Sequence, residues 1–137
     1  VFKKLYRFYG GELKGRRVAI WGLAFKPDTD DMREATSLVT IDLLSKAGCE
    51  ISVYDPVAMG ECRRRVGDKV CYAKDMYDAV DGADALLMLT EWKQFRMPLW
   101  DDVKALMKTP LVIDGRNIYD PETMAGMGFS YTCIGRK

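Results

Sequence analysis

Lys26 and Arg33 flank three carboxylates, Asp28, Asp30 and Asp31, in the stretch GLAFKPDTDDMRE, residues 22–34. Cations set close together in a polar turn are suited to holding an anion, a phosphate above all. The stretch follows a short apolar run, RVAIW, and so occupies the place where a dinucleotide-binding turn carries G-x-G-x-x-G. In that fingerprint the glycines let backbone N–H groups close on the pyrophosphate. Here Gly22 stands alone. An anion at this turn must therefore be gripped by side-chain charge, and Lys26 is its only cation before Arg33. The three aspartates suit helix capping and loop bracing, turned away from a phosphate. The plainer reading is an ordinary polar turn with a solvated Lys26, and with Arg33 a surface residue on a first helical turn.

A second turn, LVIDGRN at 111–117, sets Asp114, Gly115 and Arg116 beyond another apolar run. Arg116 could fork onto a phosphate or stack on a base, or else pair with Asp114 at the strand end. Glu91 and Trp92 of LTEW end a further run, and a structural role suits both. Asp55 of VYDP stands where an acid would meet a ribose in a dinucleotide-binding sheet. With the glycine fingerprint missing, Asp55-Pro56 reads as a turn former. The run Cys62–Arg65, CRRR, could lower a thiol pKa; a solvated helix face is the better reading. The other cysteines, Cys49, Cys71 and Cys133, form no C-x-x-C pair and sit among apolar neighbours, which suits reduced, part-buried thiols. The chain has no histidine, so triad chemistry and imidazole-based zinc sites are excluded. No metal site is expected, and no catalytic residue.

The elements that must position these residues follow from apolar patterning. Runs at 17–22, 50–55, 69–73, 85–90, 111–115 and 129–135 have strand length. Several are apolar nearly throughout, as in a parallel sheet covered on both faces. Residues 33–47 carry a helical stripe of Ala35, Leu38, Val39, Ile41, Leu44 and Ala47, with Gly48 placed to stop it. Shorter helices are expected at 75–80, 99–108 and 121–126, the last with Pro121 in its first turn. Strand–helix alternation implies βαβ units. The expectation is one α/β, Rossmann-like three-layer domain with a mostly parallel sheet of about six strands. Residues 1–12 read as the end of a connecting helix, begun upstream, and its linker. Residues 13–137 read as the domain.

At 137 residues the chain has the length of one domain. Its net charge of +1, with both signs interspersed, argues against nucleic acid or a membrane surface as partner. No apolar stretch approaches the ~20 residues of a membrane span, and the N-terminus lacks the apolar core of a signal peptide. A cytoplasmic location follows. The absent initiator Met suggests a piece or a processed form.

Taken with YDP, ADALLMLTEW and IDGRNIYDP, the stretch GLAFKPDTDDMRE resembles the C-terminal domain of the UDP-glucose/GDP-mannose dehydrogenase family. The likeness runs from about Leu13 to Arg136 and is nearest to the bacterial UDP-glucose 6-dehydrogenases. It implies a domain that clamps the UDP part of a sugar nucleotide while an N-terminal domain of the same chain binds NAD. It further implies a homodimer or larger assembly. Carried over by resemblance, Phe25 and Lys26 contact the UDP-sugar, Arg116 is a substrate-binding arginine, and Arg33 reaches across the cleft to NAD. The catalytic cysteine and the NAD fingerprint of that family have no counterpart here, so this chain alone should bind without turning over. The alternatives are the same domain from a UDP-N-acetylmannosamine or GDP-mannose dehydrogenase, or a non-catalytic Rossmann-like regulatory module.

Overall fold

The computed structural model describes residues 1–134. Gly135, the last residue of the strand expected at 129–135, and Arg136, where the resemblance ends, lie outside the described residues. Six strands form one sheet: β1 (Arg17–Trp21), β2 (Glu50–Tyr54), β3 (Cys71–Tyr72), β4 (Ala85–Met88), β5 (Leu111–Asp114) and β6 (Ser130–Cys133). Their order is β3-β2-β1-β4-β5-β6, and every pairing is parallel. This is the doubly wound order, in which the succession of strands across the sheet reverses between β1 and β4. The register sets Trp21 beside Tyr54 on one side and Met88 on the other, so the ends of the central strands are level.

Side chains alternate along each strand and feed two cores. Val18, Ile20, Ile51, Val53, Leu87 and Ile113 face α1 (Phe2–Phe8), α2 (Thr36–Lys46) and α3 (Met59–Val66). Leu5 of α1 is fully buried in this aliphatic layer. Ala19, Trp21, Leu86, Met88 and Val112 face α4 (Met76–Val80), α5 (Trp100–Leu106) and α6 (Pro121–Gly126). This second layer is aromatic. Trp21 stacks on Phe95 at 5.2 Å and donates its indole N–H to Met76 O at 2.8 Å. Each apolar side chain fully buried this way contributes roughly 1.5–3 kcal/mol, which explains why the central strands read as unbroken apolar runs.

The expected helix at 121–126 is α6, capped by Asp120, whose carboxylate accepts from Thr123 N. The helix expected from residue 33 begins only at Thr36, and Gly48, at φ +85°, follows its end. Helix α3 carries the CRRR run; its arginines are exposed while Cys62 is fully buried. Burial pushes the Cys62 thiol up, so the three neighbouring cations do not activate it. Cys62 and Cys133 are buried and Cys49 half-buried, but Cys71 is exposed, because β3 is a two-residue edge strand.

Candidate functional site

The loop between β1 and α2 leaves the sheet through Gly22, whose φ is +96°. A Cβ at this position would lie 2.5 Å from the backbone nitrogen of Thr90, so only glycine lets the ends of β1 and β4 pass this closely. Beyond Gly22 the chain is tied to other elements. Asp55, 1 % exposed at the end of β2, accepts from Leu23 N at 2.7 Å and Ala24 N at 3.2 Å. It also accepts from Val57 N, Ala58 N and the Trp92 indole N–H, at 2.8–3.0 Å. Thr90 donates its hydroxyl to Ala24 O, and Ser37 donates to Leu23 O at 2.6 Å. The first two amides of the turn are thereby consumed within the protein. They cannot cradle a pyrophosphate, and these residues do not form a dinucleotide site.

Past Ala24 the loop turns outward. Phe25 N donates to Asp31 O at 2.9 Å, closing a small lobe that presents Phe25 and Lys26 to solvent. The Lys26 ammonium lies 5.4 Å from the centre of the Phe25 ring. The Asp31 carboxylate takes Arg33 N at 2.9 Å and the Arg33 guanidinium at 2.7 Å. The side-chain bonds from Arg33, with its backbone N–H, pull the Asp31 carboxyl down to about 2. Phe25, Asp31, Arg33 and Glu34 line one shallow pocket on this rim.

The second loop, between β5 and α6, is organised by Asp114, which is fully buried. Its carboxylate accepts from Arg116 N at 2.9 Å, Ile118 N at 2.8 Å, Tyr119 N at 2.9 Å and the Tyr131 hydroxyl at 2.8 Å. Burial, with the adjacent Asp114 charge, holds the Tyr131 and Tyr119 phenols well above their ordinary range, so both remain neutral donors. With its acceptors filled by other groups, Asp114 does not hold the Arg116 guanidinium. Arg116 Nε donates to Leu89 O at 2.7 Å and Nη2 donates to Phe25 O at 2.8 Å. One arginine thus joins the ends of β4 and β5 to the Phe25–Lys26 lobe.

Phe25, Lys26 and Arg116 are therefore brought together, and Arg33 shares the Phe25 pocket. One expectation is corrected and one alternative is ruled out. None of the three aspartates of the first loop caps α2, whose start at Ala35 has no side-chain cap; Asp31 braces the loop instead, and Asp28 stands in a left-handed conformation at φ +67°. The alternative of an Arg116–Asp114 side-chain pair is not realised, since only the Arg116 backbone N–H reaches that carboxylate. Asp55 does form the expected turn with Val57 and Ala58. Its further role, tethering the first loop and Trp92, was missed. An acid at a strand end beside the point where the sheet reverses was the available signal.

A family model described as "UDP-glucose/GDP-mannose dehydrogenase family, UDP binding domain" matches residues 19–121. The chain is 47% identical to a UDP-glucose 6-dehydrogenase of Pseudomonas aeruginosa, over 99% of this chain and 31% of that protein. It is 42% identical to a UDP-glucose 6-dehydrogenase of Rhizobium meliloti, over 98% of this chain and 30% of that protein. It thus spans about a third of the length of these relatives. Among solved structures, an NDP-N-acetyl-D-galactosaminuronic acid dehydrogenase from Methanosarcina mazei superposes with TM-score 0.81 at 30% identity, over 99% of this chain and 28% of that one. A UDP-glucose dehydrogenase from Pyrobaculum islandicum superposes with TM-score 0.75 at 30% identity, over 95% and 27%.

Proposed function

The chain belongs to the UDP-glucose/GDP-mannose dehydrogenase family, as its UDP binding domain, and from that footing we propose that Phe25, Lys26 and Arg116 grip the UDP portion of a sugar nucleotide. Residues 13–137 form the gripping domain, and residues 1–12 end a helix that connects it to a preceding domain of the same polypeptide. The full-length protein is then a UDP-glucose 6-dehydrogenase, converting UDP-glucose to UDP-glucuronate. Its catalytic cysteine and dinucleotide site reside in the part of the relatives' length that this chain does not span. Both named relatives above 40% identity are UDP-glucose 6-dehydrogenases, which favours glucose over an amino sugar or a guanine nucleotide.

The observation that carries this reading is the pair of hydrogen bonds that Arg116 donates to Leu89 O and Phe25 O. It fixes the guanidinium beside the Phe25–Lys26 lobe, so two cations converge without waiting for ligand to order them. Lys26, free of a carboxylate partner among the described residues, supplies a point charge for phosphate. Phe25 offers an exposed ring face on which a base or sugar can lie. Arg33 is assigned to NAD held by the preceding domain, and it reaches that ligand only by leaving Asp31. NAD supplies the oxidising equivalent when bound there. This chain's own residues hold and orient the nucleotide. We further assign the protein to the cytoplasm and its assembly to a dimer or larger oligomer. In support of the location, no helix among the described residues is long and apolar enough to cross a membrane.

Steady-state kinetics of the full-length protein with UDP-glucose, UDP-N-acetylmannosamine and GDP-mannose test the assignment. A charge-assisted contact contributes roughly 1.5–3 kcal/mol, so Lys26→Ala and Arg116→Ala should each lower kcat/KM for UDP-glucose about tenfold or more. Unchanged kcat and KM in both variants would refute the grip. A preference for either of the other two sugar nucleotides would keep the grip and reassign the substrate.

A further inference from the structure

Three carboxylates stand at the strand ends on this rim, and they are satisfied unequally. Asp55 after β2 accepts from five donors and Asp114 at the end of β5 from four. Glu91, just past β4, has an Oε1 atom that is enclosed by protein and meets no donor among the described residues. The same holds for Asn117 Oδ1, next to Arg116 on the second loop, where the backbone is held left-handed at φ +58°. Both residues are half-buried, but the two oxygens themselves are closed off from the surface, so a ligand on the rim meets them only when these side chains turn outward. Their backbones are neighbours through Arg116, which donates to Leu89 O, two residues before Glu91.

An enclosed acceptor without a donor is unfavourable unless something else supplies the hydrogen. The cations of this rim answer the phosphates of a sugar nucleotide, but that ligand also carries donors, chief among them the ribose hydroxyls. In doubly wound sheets a carboxylate at a strand end takes those hydroxyls, usually the one after the second strand. That position is Asp55, and its oxygens are filled by the protein's own N–H groups. The unfilled acid lies instead at the end of β4.

On the reading that this domain holds UDP, we propose that Glu91 Oε1, assisted by Asn117 Oδ1, accepts a hydrogen bond from the ribose 2′-hydroxyl of the bound nucleotide. Glu91 is then a specificity-determining residue, separating ribonucleotide from deoxyribonucleotide.

Calorimetry of the full-length protein with UDP and 2′-deoxy-UDP tests this, alone and in Glu91→Ala and Glu91→Gln variants. Wild type should bind UDP about tenfold or more tighter than 2′-deoxy-UDP, as a charge-assisted bond implies. Glu91→Ala should bring UDP down to the affinity of 2′-deoxy-UDP while leaving the latter unchanged, which also shows that the variant site is folded. If the alanine variant does not fold, Glu91→Gln carries the test, with discrimination reduced several-fold. Equal weakening of both ligands, or undiminished discrimination, overturns the assignment. So does a variant that loses discrimination only between UDP-glucose and its 2-deoxyhexose analogue, since the hexose would then be the sugar read. Failure of wild type to bind UDP at all would remove the domain reading itself, and this inference with it.

Discussion

The backbone of loop 115–119 is folded by Asp114, the residue before it, whereas the loop 22–35, beside its local Phe25–Asp31 and Arg33–Asp31 bonds, is held to the sheet by residues 31 to 91 positions away. Both loops leave parallel strands on the same edge, and both contribute to the proposed grip. In the second, an aspartate turns back on the amides two to five residues downstream, a motif that any short stretch can form alone. In the first, Asp55, Thr90 and Arg116 each reach in from a different strand end. A locally built loop keeps its shape whatever its neighbours do. A loop built from afar is only as well placed as the sheet that carries its tethers. The Phe25–Lys26 lobe therefore reports on the integrity of the whole rim, and ligand affinity becomes coupled to the packing between β1, β2, β4 and β5.

Replacing the two organising acids should separate the loops most sharply. Four of the five donors to Asp55 are buried, against one of the four to Asp114. Water can replace a lost acceptor at the half-exposed amides but not at the buried ones. Each stranded donor costs about 1–3 kcal/mol, so Asp55→Ala should destabilise by about 4 kcal/mol or more and Asp114→Ala by less. Urea unfolding followed by circular dichroism measures both. An Asp114 variant as unstable as the Asp55 variant would remove the distinction between local and distant construction.

A smaller effect is expected from Arg116→Lys. Lysine keeps the charge but cannot bridge Leu89 O and Phe25 O with a planar fork. The lobe should loosen, and UDP affinity should fall severalfold, between wild type and Arg116→Ala in calorimetry. An affinity equal to wild type would mean that charge alone matters and that the tether to the lobe is incidental.

The same division governs what the sequence discloses. The six strands and a mostly parallel sheet are visible as apolar runs, because burial on both faces leaves little choice of residue. The start of α6 is legible in Asp120-Pro121, since cap and first turn are local. The cations of the proposed grip stand out as Lys26 and Arg116 at turns after strands. What stays hidden is pairing across distance. Nothing local in RVAIWGLAF says that Leu23 and Ala24 will give their N–H groups to Asp55, and the stripe does not show that Glu34 turns left-handed at φ +57°, which holds the start of α2 back to Thr36. Nor does DGR say that Arg116 passes over its neighbour Asp114 to reach Phe25.

Tyr131→Phe probes a distant tether of the Asp114 carboxylate that folds the local loop. It removes the hydroxyl that donates to Asp114, a part-buried bond, at a cost of about 1 kcal/mol. Loop 115–119 should keep its shape through its own three amides, so UDP affinity should change less than stability. A larger loss of affinity than of stability would show that this loop too depends on elements outside it.

The smallest effect concerns Arg33, the exception within the first loop because its partner, Asp31, is only two residues away. The Asp31 carboxyl is lowered from 3.8 to about 2 by the Arg33 side-chain and backbone bonds. A lowered carboxyl favours the folded pairing above its ordinary value, and that contribution is lost as pH falls through the lowered one. The Arg33 Nε–H resonance should thus hold steady down to about pH 4 and move only towards about pH 2. The pair is solvent-exposed and screened, so the unfolding midpoint near neutrality should not follow in Asp31→Asn, and added salt should narrow the window. A titration of Asp31 at its ordinary value would mean that Arg33 is already released in solution. It would then be ready to meet a dinucleotide without first breaking a contact. The reach proposed for Arg33 depends on which of these holds, because a weak and local tether is one that a ligand's phosphate can displace.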